Sequence, residues 1–215
     1  QLERAGLAAL RFDYSGTGDS LGDGAAVSVE GWIRDVEVAA ERLRAASGAT
    51  RIAIVGLRFG ATLAALANQR GLATRHLLLW DPVVDGAGYL TELAAQHRSY
   101  MQTELGDAWQ DRLRRGRDGA PVEALGAPIS DALGAQLAAI DLAAGASFPA
   151  EHVTVISTRT TPDVERLRPR LPGQARWIEM KESPAWNTDA ALNAMTVPMD
   201  IVQALIARIE EISPT

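Results

Sequence analysis

The chain has 215 residues, of which 47% are hydrophobic and 22% are charged, and its formal net charge is −6. This length and composition suit one globular domain with a buried core, and they exclude a disordered or fibrous chain. The acidic balance and the absence of a long basic run argue against nucleic acid or a membrane surface as partner, while the lack of cysteine excludes disulfides and thiolate catalysis and favours a cytoplasmic location.

The first half of the chain alternates between predicted strands and predicted helices. Leu7 to Asp13 is mostly apolar and predicts a buried strand, which a turn-rich loop follows. Val29 to Ala46 has apolar residues at helical spacing. Arg51 to Val55 then predicts a second strand, and Ala61 to Gln69 an alanine-rich helix.

The second half continues this alternation with one long interruption. His76 to Trp80, Val153 to Ser157 and Ala175 to Met180 predict three further strands. About 70 residues separate the first two of these, which is too long for a plain connection, and helical patterns occur at Tyr89 to Leu105 and Ala132 to Ala143. Strands that alternate with helices predict a parallel sheet flanked by helices, with the long connection as a helical lid.

One motif lies between the second strand and its helix. Gly56-Leu57-Arg58-Phe59-Gly60 has the glycine spacing of a nucleophile elbow, a sharp turn that exposes its central residue, but that residue is arginine rather than serine. With this motif and the stretch Leu10 to Ser20, the chain resembles the α/β-hydrolase superfamily over essentially its whole length. The resemblance implies an α/β-hydrolase fold with its core at 1–86 and 151–215 and a lid at 87–150.

The resemblance also implies elements that these residues do not include. Family members have about three strands and an oxyanion-hole loop before the helix that ends near Gly6. Because the chain opens at Gln1 within helix-like residues, we expect those strands to precede the sequence.

The other catalytic positions of the family are filled unusually. The resemblance places an acid after the strand Val153 to Ser157, where Asp163 fits, and a histidine after the last strand. No histidine occurs there, and Trp186 is the nearest match. Without a hydroxyl and an imidazole to activate it, acyl-enzyme chemistry loses both of its central groups.

Arg58 predicts a different chemistry at the same position. A guanidinium beside a helix N-terminus can hold an enolate, a carboxylate or a departing acetate, which favours elimination over hydrolysis. The base that elimination requires is one of Asp81, Asp163 or His97. His76 and His152 stand at strand starts, and we expect structural roles for both.

A narrower resemblance suggests the substrate. The arginine-containing elbow is similar to that of enzymes of spirotetronate polyketide biosynthesis that remove acetate from an acetylated tetronate and leave an exocyclic methylene. This resemblance implies a lyase that acts on a small-molecule polyketide without cofactor or metal. Phe59, Tyr14, Trp80 and Trp186 are candidates for the apolar walls of its pocket. The sequence does not give the oligomeric state.

Two alternatives remain open at this point. Arg58 could form an ion pair with Asp81 or Asp163 in an inactive, ligand-binding protein. Ser15 or Ser20, in the loop after the first strand, could replace the missing nucleophile in an ester hydrolase. The acidic residues of that loop, among them Asp13 and Asp19, do not have the spacing of a calcium loop and are expected to be solvated turn residues.

Overall fold

The computed structural model describes residues 6–106, 123–145, 147–159, 161–180 and 199–212. Within these ranges the strands are β1 (Ala53–Leu57), β2 (His76–Trp80), β3 (Glu123–Ala124), β4 (Ala127–Pro128), β5 (His152–Ser157) and β6 (Arg176–Glu179). The helices are α1 (Val29–Ser47), α2 (Phe59–Gln69), α3 (Gly86–Leu105), α4 (Asp131–Ala138), α5 (Pro162–Leu167) and α6 (Met199–Ile212). Single turns of 3-10 helix occur at Gly24–Ala26 and Arg168–Arg170.

Four strands form a parallel sheet in the order β1-β2-β5-β6. β2 and β5 lie in its centre, and every residue of β2 is buried, as expected for a strand covered on both faces. Leu77 and Leu79 pack with α2 and α5 on one face, whereas Leu78 and Trp80 pack with α6 on the other. The predicted parallel sheet flanked by helices is therefore confirmed, and β1, β2, β5 and β6 correspond to predicted strands.

The first predicted strand is an exception. Leu7 to Asp13 is extended but belongs to no sheet, and most of its residues are exposed, including Leu10 at 47% and Phe12 at 37%. The prediction of a buried strand was wrong because an apolar run becomes a strand only where a neighbouring strand accepts its main-chain hydrogen bonds. Within the described part of the chain, none pairs with it.

The chain divides into two compact units. The first comprises 1–11, 36–84 and 142–215 and contains the four-stranded sheet. The second comprises 12–35 and 85–141 and contains α3, α4 and the small β3–β4 hairpin, in which Ala124 pairs with Ala127. The predicted lid, 87–150, falls largely in the second unit, and its boundaries stay a prediction.

A close helix contact holds the second unit together. A methyl group on Gly86 would lie 1.8 Å from the carbonyl oxygen of Leu137, so α3 and α4 can approach this closely only with glycine at that position. Among the helices described, none is both long and apolar enough to cross a bilayer.

Candidate active site

The turn between β1 and α2 has the geometry of a nucleophile elbow. Arg58 occupies it with φ 52° and ψ −123°, which is an unfavourable conformation for a residue with a side chain, and it precedes the first residue of α2. Gly56 makes the turn possible, since a β-carbon there would lie 2.4 Å from Cα of Ala61. The predicted elbow context of strand, sharp turn and helix is present.

Main-chain hydrogen bonds fix this turn. The N–H of Arg58 donates to the carbonyl of Trp80 at 2.9 Å, and the carbonyl of Arg58 accepts from the N–H of Ala61 at 3.0 Å. The hydroxyl of Thr62, which is fully buried, donates to the carbonyl of Val83 at 2.7 Å and so connects α2 to the loop after β2. The conformation of Arg58 is therefore imposed by the backbone around it, as strained functional positions require.

Arg58, whose side chain is half-buried, combines its own positive charge with that of a helix amino end. It follows β1 at the carboxyl end of the sheet, and it precedes α2, whose amino end carries a partial positive charge. A guanidinium and a helix amino end at one position favour an anion over a neutral group.

Asp81 lies at the carboxyl end of the neighbouring strand. Because Leu57 pairs with Trp80, the residues that follow them, Arg58 and Asp81, are opposite each other at the end of two adjacent strands. Asp81 is 4% exposed and has a positive φ of 43°. Of the predicted site residues, these two are the pair that directly follows two paired strands.

The carboxylate of Asp81 accepts two hydrogen bonds from one residue. The N–H of Thr158 donates to one oxygen at 2.7 Å, and the hydroxyl of Thr158 donates to the other at 2.5 Å. Thr158 follows β5, so Asp81 connects the ends of β2 and β5. We call this pair of hydrogen bonds the Asp81–Thr158 clamp.

The other two predicted bases have different surroundings. Asp163 is in the first turn of α5, where its carboxylate lies 3.4 Å from the guanidinium of Arg166 and both side chains are about half exposed. His97 is in α3 in the second unit, and its Nδ1 accepts from the N–H of Leu125 at 3.1 Å. With Nδ1 accepting, a neutral imidazole carries its proton on Nε2. Neither residue belongs to a strand next to β1.

The predicted wall residues are distributed over both units. Phe59 is half-buried at the elbow, and Trp80 is 7% exposed and packs with the apolar residues of β5 and α6. Tyr14, in the second unit, contacts Phe12 edge-on at 5.1 Å between ring centroids and Trp32 at 6.3 Å. Trp186 lies outside the described residues.

Polar groups of the loop after residue 13 bond both to α1 and within the loop itself. Asp35 accepts from the N–H of Ser15 at 2.8 Å and from its hydroxyl at 2.9 Å. Burial, and then the charge of Asp35, raise the pKa of Tyr14 to about 12. Asp13 accepts from the N–H of Asp19 at 3.2 Å.

His76 is at the opposite end of the sheet from the elbow. It is 1% exposed, and its Nε2 lies 2.9 Å from the hydroxyl of Thr154 in β5. Burial first, and then the charges of Arg208 and His152, lower the pKa of His76 to about 4. The ring of His152 lies 6.0 Å from that of His76. Both histidines begin strands, as the sequence predicted.

Thr158 and Asp35 were not among the residues that the sequence predicted for the site. A usable signal existed for Thr158, because it directly follows a predicted strand and residues that follow parallel strands meet at one edge of the sheet. Asp35 gave no such signal, since it is one of several charged residues on α1.

Comparisons with known proteins identify the fold and no closer relationship. No protein-family profile matches the chain, and no curated protein matches it. Among solved structures, VinJ has a TM-score of 0.63 at 14% identity over 99% of this chain and 83% of its own. Mouse alpha/beta hydrolase domain-containing protein 10 has a TM-score of 0.58 at 16% identity, with 97% and 81% covered. The enol-lactonase from Burkholderia xenovorans LB400 has a TM-score of 0.51 at 20% identity, with 89% and 79% covered.

These similarities extend over most of each chain and agree with the parallel sheet, the flanking helices and the elbow. The chain therefore has the α/β-hydrolase fold. At such low sequence identities a shared fold does not determine the reaction, which has to be argued from the site itself.

Proposed function

We propose that the chain is a cofactor-independent carbon–oxygen lyase that eliminates acetate from an acetylated tetronate polyketide intermediate and leaves an exocyclic double bond. The observation that carries this proposal is the arginine in the elbow conformation, at φ 52° and ψ −123°, at the amino end of α2. In this position a fixed cation stands where a hydrolase of this fold would present a nucleophile.

The reaction suits a cation more than a hydroxyl. A base takes a proton from a ring carbon, the carbon–carbon double bond forms, and the bond to the acetate oxygen breaks so that acetate leaves with the electron pair. Negative charge increases on the tetronate oxygens and on the leaving acetate, and no group of the protein has to bond covalently to the substrate. A guanidinium that can form two parallel hydrogen bonds to a carboxylate stabilises such charge.

Asp81 is the first candidate for the base because it directly follows β2, the strand that pairs with β1, and Arg58 directly follows β1. Each of its oxygens accepts one hydrogen bond from Thr158, and a carboxylate oxygen has a second lone pair for a proton. Asp163 and His97 remain alternatives whose variants belong in the same series. Replacing the true base should abolish turnover while the protein still binds the acetylated substrate.

Arg58→Ala tests the central role. We expect turnover of an acetylated tetronate, followed by mass spectrometry of the product, to fall by about a hundredfold or more, since removal of one charge-stabilising donor has this effect in other enzymes. Arg70→Ala is the matched control, because it removes the same charge at the other end of α2, where Arg70 is exposed. Near-native turnover by Arg58→Ala would contradict the proposal.

The position of solvent oxygen separates elimination from hydrolysis. In isotopically labelled water, ester hydrolysis places solvent oxygen in a product. Elimination releases acetate with both of its oxygens from the substrate, together with an alkene. We expect unlabelled acetate and the alkene, and labelled acetate would favour an ester hydrolase.

A hydrolase that uses a different serine is the second candidate function. The hydroxyl of Ser15 lies 2.9 Å from a carboxylate oxygen of Asp35, which is an acceptor for its proton. The same carboxylate also holds the N–H of Ser15, so the arrangement equally serves to anchor the loop to α1. A fluorophosphonate probe, which labels activated serines, decides between these roles. We expect no labelling of Ser15, and labelling that Ser15→Ala removes would support the hydrolase.

A further inference from the structure

Asp81 is almost closed off from solvent. It is 4% exposed, and its N–H donates to the carbonyl of Ile156 at 2.9 Å, so its main chain is held against β5 as well. In the proposed function this residue takes one proton from each substrate molecule. A base that keeps its proton cannot act again, so the proton has to leave this buried carboxylate before the next turnover.

Two polar groups of Thr158 contact the carboxylate of Asp81, and they differ in what they can do with a proton. The N–H, at 2.7 Å from one oxygen, is a donor alone. The hydroxyl, at 2.5 Å from the other oxygen, can donate and accept, and its hydrogen rotates about the C–O bond. Of these two contacts, the hydroxyl is therefore the one through which a proton can leave.

The surroundings of this hydroxyl suit a transfer to solvent. Its hydrogen is directed to Asp81, and none of the residues that the structure describes donates a hydrogen bond to its oxygen. The oxygen can therefore accept a hydrogen from the carboxyl group. Thr158 is half-buried, whereas Asp81 is buried, so the pair connects a group without solvent contact to a residue that solvent reaches.

The residues on both sides of Thr158 are held in place. The carbonyl of Ser157 accepts from the N–H of Met180 at 2.9 Å, which ties the end of β5 to the residue after β6. The hydroxyl of Ser157 donates to the carbonyl of Arg159 at 2.8 Å. Proton transfer requires a short contact that persists through each turnover, and a fixed main chain maintains such a contact.

We propose that Thr158 relays to solvent the proton that Asp81 takes from the substrate. This inference rests on the proposed function and deepens it by assigning the route of the proton. The protonated carboxyl of Asp81 donates its hydrogen to the hydroxyl oxygen of Thr158, while the hydroxyl hydrogen passes to water or to a buffer base. The carboxylate and the hydroxyl are both restored. Each substrate then yields one alkene, one acetate ion and one proton released to solvent.

A clamp that only positions Asp81 would behave differently from a relay. Every variant at Thr158 other than proline keeps the main-chain N–H, and with it one of the two bonds that orient the carboxylate. Poor orientation slows the abstraction of the substrate proton itself, in the first turnover as in later ones. Loss of a relay leaves the first abstraction intact and delays the recovery of the base. The two roles are therefore separated by the first turnover.

Stopped-flow measurement of alkene and proton release tests the proposal. The full chain is mixed with excess acetylated tetronate in weakly buffered solution, with ultraviolet absorbance to follow the alkene and an indicator dye to follow the proton. In the wild type we expect both to appear together. In Thr158→Val, which has the same shape without the hydroxyl, we expect a burst of about one alkene per active site. Turnover should then be slower by about tenfold or more, with proton release behind alkene formation. Thr158→Ser keeps the hydroxyl and should resemble the wild type.

Ser157→Ala is the matched control, because it removes the neighbouring hydroxyl, which donates to Arg159 rather than to Asp81. We expect it to show no burst. Thr158→Ala repeats the test without the added methyl group of valine. Equal slowing of first and later turnovers in both Thr158 variants would make Thr158 a positioning residue only, and near-native steady turnover would show that the proton leaves by another route. Either result overturns the relay while the lyase stands. A wild-type chain that releases no acetate would refute the proposed function and the relay together.

Discussion

The two ends of the four-stranded sheet treat polar residues in opposite ways. At the carboxyl ends, Arg58 and Asp81 each follow one of two paired strands in positive-φ conformations, and the carboxylate of Asp81 is buried with two donors from Thr158. At the amino ends, His76 is equally buried but lies in regular strand, with a neutral hydroxyl partner and a pKa lowered to about 4. The buried polar group is thus a carboxylate at one end and a ring kept neutral at the other.

The contrast indicates which end of the sheet can hold reactive groups. A strained backbone and an ionised group both cost free energy, so they persist only where the surrounding structure imposes them. The carboxyl end holds the strained Arg58 and the buried carboxylate of Asp81, whereas the buried residue at the amino end, His76, is neutral. Four changes, ordered by expected effect, test or refine this contrast.

The largest effect is expected from Gly56→Ala at the elbow. Its new methyl group would lie within 2.6 Å of Ala61 and Gly60, all main-chain atoms, so β1 and α2 would have to separate. We expect a loss of about 3 kcal/mol or more in the free energy of unfolding, measured by urea denaturation. Gly173→Ala is the control, because nothing lies within 4 Å of its added methyl group. Equal stability of the two variants would show that the elbow is not tightly constrained.

A somewhat smaller effect is expected from protonation at the amino end. The pKa of His76 is about 4 in the folded chain against 6.5 for a free histidine, so between these pH values the unfolded chain binds the extra proton. The contribution of His76 to the free energy of unfolding is fully present above pH 6.5. It is lost as the pH falls to 4, by about 3 kcal/mol at most. Unfolding free energies of the wild type and His76→Gln across this range measure it. Parallel pH curves for the two proteins would contradict the prediction.

The third largest loss of stability is expected when the Asp81–Thr158 clamp is removed. Asp81→Ala leaves the N–H and hydroxyl of Thr158 without their acceptor near the end of β5, and we expect a loss of about 2 kcal/mol. Asp163→Ala removes a half-exposed ion pair with Arg166 and should change stability by less than about 0.5 kcal/mol. Chemical denaturation of both variants gives the comparison. Similar losses of unfolding free energy for the two variants would show that the buried Asp81 stabilises the fold no more than an exposed carboxylate does.

The smallest change concerns the strain at position 58 itself. Glycine adopts φ 52° with ψ −123° far more readily than alanine does, so Arg58→Gly should be more stable than Arg58→Ala by about 1 kcal/mol. Both variants lack the guanidinium and should be equally inactive. Thermal denaturation under identical conditions checks the stability difference. A less stable glycine variant would show that the conformation costs nothing at this position.

The sequence predicted the sheet better than it predicted the surroundings of the site. β2 was predicted with its observed boundaries, and the elbow was recognisable because glycine is needed at position 56. Leu7 to Asp13 was mispredicted because an apolar pattern records a preference for burial and does not show whether a partner strand is present. Arg58 was selected correctly as the elbow residue, since its identity and its spacing are both local.

Long-range contacts explain what the sequence left undetermined. Asp81 and Thr158 are 77 positions apart, and their pairing follows only from β2 lying next to β5. The role of Trp80 could not be predicted for a different reason. Every residue of β2 is buried, so the strand shows no alternation of apolar and polar residues that would distinguish a core side chain from one that faces a pocket. The surroundings of Asp163 and His97 likewise depend on where α5 and the β3–β4 hairpin pack.

The bonds that hold the elbow have a consequence for how this architecture acquires new activities. They run between main-chain atoms of Arg58, Trp80 and Ala61, and the arginine side chain supplies none of them. The residue at position 58 can therefore be exchanged while the sheet and α2 keep their places. The side chain at such a turn can therefore change without a change in the fold. A single codon change is enough to present a different functional group at the same position.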